Sequence, residues 1–320
     1  PPPPPPPTTP PPPHPQKHSF PTRRSSDLSG KSTITVLLAR VLRDRGYKVC
    51  LLDADSTNMG LAKALGFEKS PWPLMDYFGG MVFSGGAVTC PVDDPTPLAG
   101  AEVDLETLPD RYYVQEDGIM LLIAGKIGDQ GPGAGCDGPV SKIARDLRIH
   151  GRGKQPVMLI DFKAGFEDSA RGAITSLDWA FVIVDPTLTA IEMANDMQNM
   201  VSRMKALELP ATMHLENTEL VAIANRLFTE ARIKGVLFVL NKIQDPEMLI
   251  YLRKELLMRG IEPIGTVFKD PSVSMAWLKG YPLDMMRTKR EVQKIATALE
   301  AAEALAEDLE VSTKGIESMN

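Results

Sequence analysis

A short polar stretch at the start of a helix constrains this chain more than any other feature. Residues 29–33 are Ser-Gly-Lys-Ser-Thr. They begin a segment from Lys31 to Arg45 that has the apolar spacing of a helix and ends at Gly46. Backbone N–H groups at a helix N-terminus point at an anion, and the helix dipole favours negative charge there. The stretch is therefore typical of the second half of a phosphate-binding loop.

This phosphate loop is only half present. The complete pattern has a glycine five residues before Gly30, and Ser25 holds that position. In the phosphate-binding interpretation Lys31 neutralises the terminal phosphates and the Ser32 hydroxyl ligates Mg²⁺. The predicted nucleotide-binding stretch is Ser29, Gly30, Lys31, Ser32 and Thr33. An ordinary capped helix is the alternative for this stretch alone.

The first 28 residues do not fit the rest of the chain. They carry 13 of the chain's 28 prolines and end in the string SFPTRRSSDL, which resembles translated sequencing adaptor. A polyproline tail is the alternative interpretation. Residues 1–28 are therefore excluded from the fold. We expect a phosphate-binding domain over residues 29–310 that lacks its first strand and half of its loop, followed by a disordered tail over residues 311–320.

Composition excludes several classes of protein. The net charge of −6 argues against a nucleic-acid groove, which needs a basic field. Three cysteines in 320 residues suggest a reducing cytoplasm without a disulfide framework. No apolar run reaches the ~20 residues of a membrane span. Four histidines, two of them before residue 28, argue against chemistry based on a histidine cluster.

Apolar runs alternate with helical segments along the rest of the chain. The predicted strands are 47–53, 118–124, 156–161, 179–185, 236–240 and 262–267. The predicted helices are 60–65, 139–149, 189–207, 216–233, 246–259, 272–279 and 289–309, while residues 67–117 are predicted to be irregular. This alternation predicts a three-layer α/β/α fold with a mostly parallel sheet.

Polar residues follow several of these strands. Asp53, Asp161, Asp185 and Asn241 lie at or just beyond strand carboxyl ends, where parallel sheets bind their ligands. Asp161 is predicted to hold Mg²⁺ together with Ser32, acting through a metal-bound water, and Asp53 to support the metal shell. Asp55 is the candidate that orients the attacking water. Asn241 suits a purine base; a turn or cap residue is the alternative for each position.

Four motifs in this order resemble the MinD/ParA-type ATPases with a deviant phosphate loop. The motifs are residues 30–33, Leu52-Asp-Ala-Asp55, Ile160-Asp-Phe-Lys-Ala-Gly165 and Asn241-Lys242. Residues 161–172, 178–187 and 265–271 look most like the CooC-type accessory ATPases that insert nickel into carbon monoxide dehydrogenase. The resemblance implies binding and hydrolysis of Mg-ATP in a homodimer, with Gly165 among the nucleotide-binding residues.

The sequence departs from the resembled family at two points. The family has a further lysine four residues before the Gly-Lys pair, and Ser26 holds that position. The CooC type also has a Cys-x-Cys that binds metal between subunits, and here Cys136 is followed by Asp137 and Gly138. Cys136 with Asp137 from each subunit would hold Ni²⁺ or Zn²⁺; packing is the alternative role for Cys136. Cys90, in an irregular loop, is a weaker candidate, and Cys50 is a core residue.

Three functions remain open from the sequence. The first is an ATP-driven maturation factor for a client metalloenzyme such as a carbon monoxide dehydrogenase. The second is a MinD- or ParA-like positioning ATPase, which needs a basic surface for membrane or DNA. The last 21 residues hold six acids and one lysine, so we expect no binding to membrane, and the net charge of −6 argues against binding to nucleic acid. The third is a nucleotide-binding scaffold without catalysis.

Overall fold

A computed structural model describes residues 29–126, 136–151, 156–163, 169 and 172–317 of the chain, with side chains to residue 309. The strands are β1 Val49–Ala54, β2 Glu102–Asp104, β3 Tyr113–Glu116, β4 Ile119–Ile123, β5 Arg148–His150, β6 Val157–Phe162, β7 Trp179–Val184, β8 Gly235–Ile243 and β9 Gly265–Phe268. The helices are α1 Lys31–Asp44, α2 Leu61–Leu65, α3 Leu74–Tyr77, α4 Gly138–Asp146, α5 Leu188–Lys205, α6 Thr218–Thr229, α7 Pro246–Leu257, α8 Pro271–Lys279 and α9 Met286–Glu317.

Two sheets carry the domain. One has the order β3-β4-β1-β6, with β3 antiparallel and the other strands parallel, and the second has the parallel order β7-β8-β9. A separate two-stranded sheet pairs β2 with β5. The parallel strands of the two larger sheets are joined by helices that cover their faces, as apolar strands require. The predicted α/β class with a mostly parallel sheet is confirmed.

One helical layer covers both larger sheets. The buried faces of α1 and α9 pack against residues of both, among them Leu51 and Leu121 in the first sheet and Val239 in the second. The opposite face of the first sheet packs on α3 and α4, and that of the second on α5 and α7. Helix α1 therefore lies where the two sheets meet, and its N-terminus is positioned by both.

The strands of the first sheet differ in burial. Every residue of β1 and β4 is buried, whereas β6, equally apolar, has only Asp161 buried and its other five residues partly exposed. Among the described residues β6 pairs only with β1, and β7 pairs only with β8. An apolar parallel strand is typical of a sheet interior, so β6 lies at an edge that its composition does not suit.

Several predicted elements are wrong in detail. The stretch 67–117, predicted to be irregular, contains β3, because Tyr113–Glu116 pairs antiparallel with β4 across a turn with Asp117 at φ 55°. The helix predicted to end at residue 149 ends at Asp146, since residues 148–150 pair with β2. Helix α9 continues to Glu317, so residues 311–317 of the predicted disordered tail are helical in this structure.

Candidate functional site: the N-terminus of helix α1

Glycine is required at the residue that precedes α1. Gly30 has φ 95°, a left-handed conformation that residues with a Cβ rarely adopt. A Cβ on Gly30 would also collide with the side-chain amide of Asn241. That amide donates a buried hydrogen bond of 2.6 Å to the carbonyl oxygen of Ser29. The short half-loop is therefore held against β8 from the second sheet.

The first sheet contacts the same helix end through Asp161. The Ser32 hydroxyl donates to Oδ2 of Asp161 at 2.6 Å, and the Thr35 hydroxyl donates to Oδ1 at 3.3 Å. The side-chain amide of Asn58 donates to the Ser32 oxygen at 3.0 Å. Ser32 and Asp161, 129 residues apart in the chain, are brought together as predicted. Their hard oxygen atoms suit Mg²⁺.

The ionisation of Asp161 is coupled to its surroundings. Burial raises the pKa of Asp161 to about 6, against the lowering effects of the Ser32 hydrogen bond and the nearby charge of Lys31. A divalent cation beside this carboxyl would favour its ionised form. The position of Asp161 is therefore suited to a cation, and the charge of Lys31 is close enough to lower the pKa of this carboxyl.

A lysine that the sequence interpretation missed holds the acidic loop after β1. Lys126 Nζ lies 2.7 Å from Oδ2 of Asp53 and 2.6 Å from the backbone oxygen of Asp55, and it also donates to the backbone oxygen of Asn58. Burial raises the pKa of Asp53 to about 7, and the Lys126 charge opposes that shift. Lys126 follows β4 by three residues, so the rule that selected Asp53 would have found it.

Asp55 lies in the loop that Lys126 fixes. Its carboxylate accepts hydrogen bonds from the Thr57 backbone nitrogen at 2.9 Å and the Thr57 hydroxyl at 2.7 Å. Asp55 is partly exposed, and Asn58 of the same loop contacts Ser32. The structure therefore brings the loop of Asp55 to the helix end, while its role in orienting water stays a prediction.

The other predicted residues have mixed outcomes. Asn241 lies inside β8 and not at its end, and its amide nitrogen is bonded to the loop, so base recognition stays a prediction. The Thr33 hydroxyl accepts from the Trp277 indole at 2.9 Å and faces the protein interior. The Asp185 carboxylate accepts from the Thr187 hydroxyl that caps α5, which is a turn role. Gly165 lies outside the described residues.

Lys242 is a second basic group beside the loop. It has φ 60°, and its Cε lies 3.8 Å from the point that a Cβ on Gly30 would occupy. Burial lowers the pKa of Lys242, and the charge of Asp185 opposes this shift. Two lysines, the N-terminus of α1 and the Ser32–Asp161 pair surround the start of this helix, and together they suit a nucleotide phosphate with Mg²⁺.

The segment that carries Cys136 contacts both loops of this site. Asp137, the next residue, accepts from the Ser56 hydroxyl through Oδ1 and forms an ion pair of 2.6 Å with Lys163 through Oδ2. Ser56 follows Asp55, and Lys163 lies two residues after Asp161. Cys136 is therefore joined through its neighbour to the loops after β1 and β6.

One family of nucleotide-binding domains matches most of the chain. The model of the CobQ/CobB/MinD/ParA nucleotide binding domain matches residues 28–283. The chain belongs to this family. It is a P-loop ATPase of the MinD/ParA type, and the predicted resemblance is confirmed.

Individual relatives agree with the family. An uncharacterized ATP-binding protein of Methanocaldococcus jannaschii is 32% identical over 171 residues, which are 53% of this chain and 68% of that protein. The carbon monoxide dehydrogenase accessory protein CooC of Rhodospirillum rubrum is 28% identical over 172 residues, which are 53% of this chain and 64% of CooC.

Solved structures agree on the fold. The cell division ATPase MinD of Pyrococcus furiosus is 19% identical with a TM-score of 0.50, over 85% of this chain and 94% of MinD. MinD in the MinC:MinD complex of Aquifex aeolicus is 16% identical with a TM-score of 0.51, over 85% of this chain and 91% of that chain. At these identities the likeness concerns the fold alone. In the described part of this chain, no helix is long and apolar enough to cross a membrane.

Proposed function

We propose that this ATPase drives the maturation of a metallocentre, delivering a metal ion to a client metalloenzyme as a nucleotide-dependent homodimer. The observation that carries the proposal is the pair of contacts from Asp137 to Ser56 and Lys163. Through them a cysteine segment is joined to the two loops that would respond to ATP. The partial similarity to CooC supports a client of the carbon monoxide dehydrogenase kind.

In this proposal each residue of the helix end has a separate task. Lys31 and the N–H groups of α1 bind the phosphates, while Ser32 and Asp161 hold Mg²⁺, which neutralises phosphate charge. Asp53 is held by Lys126 and supports the metal shell, and Asp55 orients the water for hydrolysis. A reducing cytoplasm suits the three free thiols of the chain.

The metal proposal is tested by loading and transfer. The protein is loaded with ⁶³Ni²⁺, mixed with an apo metalloenzyme, and supplied with Mg-ATP or a non-hydrolysable analogue. We expect transfer only with hydrolysable ATP, and Asp137→Ala is expected to keep ATP hydrolysis while it uncouples transfer. Equal transfer without nucleotide would contradict the proposal.

A positioning ATPase on a membrane is the second candidate, and co-sedimentation separates the two. The 21 residues from Glu300 onward hold six acids and one lysine, so anionic phosphatidylglycerol vesicles should repel them. We expect no co-sedimentation, with or without ATP. ATP-dependent binding to these vesicles would favour the positioning function instead.

We also propose that a further parallel strand belongs between β6 and β7, immediately before the loop at Ser29. Three observations support this position: β6 is apolar but partly exposed, β7 pairs only with β8 among the described residues, and α1 covers both sheets. Since Asp161 of β6 and Asn241 of β8 both contact the start of α1, a strand that leads into α1 would end between them. Hydrogen exchange on β6 amides before and after such a strand is added tests the proposal, and unchanged exchange would contradict it.

A further inference from the structure

Two of the three cysteines lie against one glycine. A Cβ on Gly138 would lie 2.5 Å from the sulfur of Cys90 and 2.7 Å from its Cβ. The backbone N–H of Gly138 donates to the sulfur of Cys136 at 3.3 Å. The two sulfurs, far apart in the sequence, therefore contact the same residue, and the thiol of Cys90 fills the space that any side chain at position 138 would need.

Buried cations of α4 fix the loop that carries Cys90. Lys142 Nζ donates to the Thr89 hydroxyl at 2.7 Å and to Oδ2 of Asp94 at 3.1 Å. Arg145 Nη2 donates to the backbone oxygen of Pro95 at 3.0 Å. Both cations are only 3% exposed, and both belong to the helix that begins at Gly138. The position of Cys90 is therefore set by a buried polar network.

The carboxylate beside Cys136 is already engaged. Oδ1 of Asp137 accepts from Ser56, and Oδ2 is paired with Lys163. Asp137 is thus a poor metal ligand in this arrangement, contrary to the prediction from sequence. Cys90 is the better second ligand, because its thiol lies beside the same residue as that of Cys136. Two sulfurs select soft or borderline ions such as Zn²⁺, Ni²⁺ or Cu⁺ over Mg²⁺.

We propose that Cys90 and Cys136 together form a dithiolate site that binds one thiophilic transition-metal ion. The inference rests on the proposed function in taking that ion as cargo, and it adds the ligand that the Cys136 segment lacks. Binding a divalent ion replaces two S–H bonds with two metal–sulfur bonds and releases two protons.

Metal titration of single variants tests the site. The reduced full-length chain is titrated with Zn²⁺ against a chromophoric chelator, and with Co²⁺ to follow thiolate-to-cobalt absorption. We expect Cys90→Ser and Cys136→Ser each to weaken Zn²⁺ binding by about 100-fold and to halve the charge-transfer band. Cys50→Ala is the matched control, since Cys50 lies buried within β1 and its pKa is raised to about 12. It should bind Zn²⁺ like the parent.

The outcomes separate the inference from the proposed function. Loss of Zn²⁺ binding in Cys136→Ser with parental binding in Cys90→Ser would remove Cys90 and leave a metal role for Cys136. Parental Zn²⁺ binding in both variants would overturn both the shared Cys90–Cys136 site and the metal role of Cys136 in the proposed function. Gly138→Ala keeps both thiols but displaces Cys90, and we expect it to weaken Zn²⁺ binding by about tenfold.

Oxidation of the unmutated chain gives a test that does not depend on variant folding. Diamide accepts two electrons and two protons from a pair of close thiols and leaves a disulfide. Peptide mass mapping of the monomer should then identify a Cys90–Cys136 crosslink and no crosslink to Cys50. If these two cysteines remain reduced, or if each crosslinks only between chains, the shared site is wrong.

Discussion

The two larger sheets contact the start of α1 with different chemistry. The four-stranded sheet supplies charged groups, namely Asp161 bonded to Ser32 and Asp53 paired with Lys126. The three-stranded sheet hydrogen-bonds the loop through a neutral amide, Asn241, that supports the Ser29 carbonyl, and the charged group that it brings beside the loop is Lys242. Charge-assisted hydrogen bonds are about twice as strong as neutral ones. We infer that metal chemistry belongs to the first sheet, while the second sheet shapes the loop and places a cation, Lys242, beside it.

The largest expected effect on ATP binding comes from adding the strand that we propose between β6 and β7, together with the missing half of the phosphate loop. Residues 1–28 are replaced with an apolar strand followed by Gly-Lys-Gly-Gly before Ser29. We expect ATP affinity to rise by about 100-fold or more, because two added charge-assisted hydrogen bonds contribute roughly 1.5–3 kcal/mol each. Calorimetric titration with ATP measures it. The control carries the same glycine turn after a strand interrupted by proline, and equal affinities for original and replaced chains would contradict the prediction.

Asp55→Ala tests the catalytic part of the first sheet. In the chain with the replaced N-terminus, turnover should fall by about 100-fold or more, as expected when a residue that positions or deprotonates the reacting group is lost. ATP affinity should stay within about threefold, because Asp55 bonds Thr57 and not the helix end. Steady-state phosphate release and ATP binding are measured together. Hydrolysis at the parental rate would show that the assigned role is wrong.

Lys31→Ala should affect binding more than turnover. Loss of a lysine that contacts phosphate is expected to weaken ATP binding by about 10- to 100-fold, in line with roughly 1.5–3 kcal/mol for a charged hydrogen bond. Lys48→Ala, a change on the neighbouring part of the chain before β1, is the control and should bind ATP normally. Equal ATP affinity for Lys31→Ala and the parent would remove Lys31 from the phosphate site.

The pH dependence of Mg²⁺ binding tests the raised pKa of Asp161. Since this pKa is about 6, the carboxylate is mostly protonated at pH 5 and ionised at pH 7. Mg²⁺ requires the ionised form, so its apparent affinity should rise about tenfold from pH 5 to pH 7 and then level off. Mg²⁺ titrations with a fluorescent ATP analogue measure it. Asp161→Asn should show weak, pH-independent binding; a flat profile in the parent would contradict the assignment.

The same raised pKa gives the opposite trend in stability without ligand. Between pH 4 and pH 6 the folded state binds more protons at Asp161 than the unfolded state does. This contribution to the free energy of unfolding is therefore present at low pH and is lost as the pH rises through about 6. Urea unfolding of the parent and of Asp161→Asn at each pH isolates the contribution.

The smallest effect is expected on the second sheet. Asn241→Ala removes one neutral hydrogen bond to Ser29, so ATP affinity should fall by only about fivefold, near 1 kcal/mol. The affinities of the parent and of Asn241→Ala for ATP and for GTP show whether Asn241 also recognises the purine base. A loss as large as that of Lys31→Ala would mean that the two sheets do not differ as proposed.

The sequence alone determined the parts of this protein that follow periodic patterns. Apolar runs that alternate with helical segments predicted the α/β class, and polar residues at strand ends predicted that Asp161 lies close to Ser32. These inferences succeed because parallel strands bring their carboxyl ends to one edge regardless of the loops between them. The edge strand β3 was missed, because its pairing with β4 depends on a turn inside a Pro- and Gly-rich stretch.

Only the tertiary structure decided which irregular segments meet. Lys126 clamps the loop after β1, Asp137 joins the Cys136 segment to both nucleotide loops, and Cys90 lies against Gly138. No periodic pattern in the sequence predicts these contacts, because each depends on the packing of long, irregular loops against α4 and the sheet. The physical reason is that the arrangement of strands follows from a hydrophobic pattern that the sequence displays, whereas the meeting of two loops follows from side-chain packing.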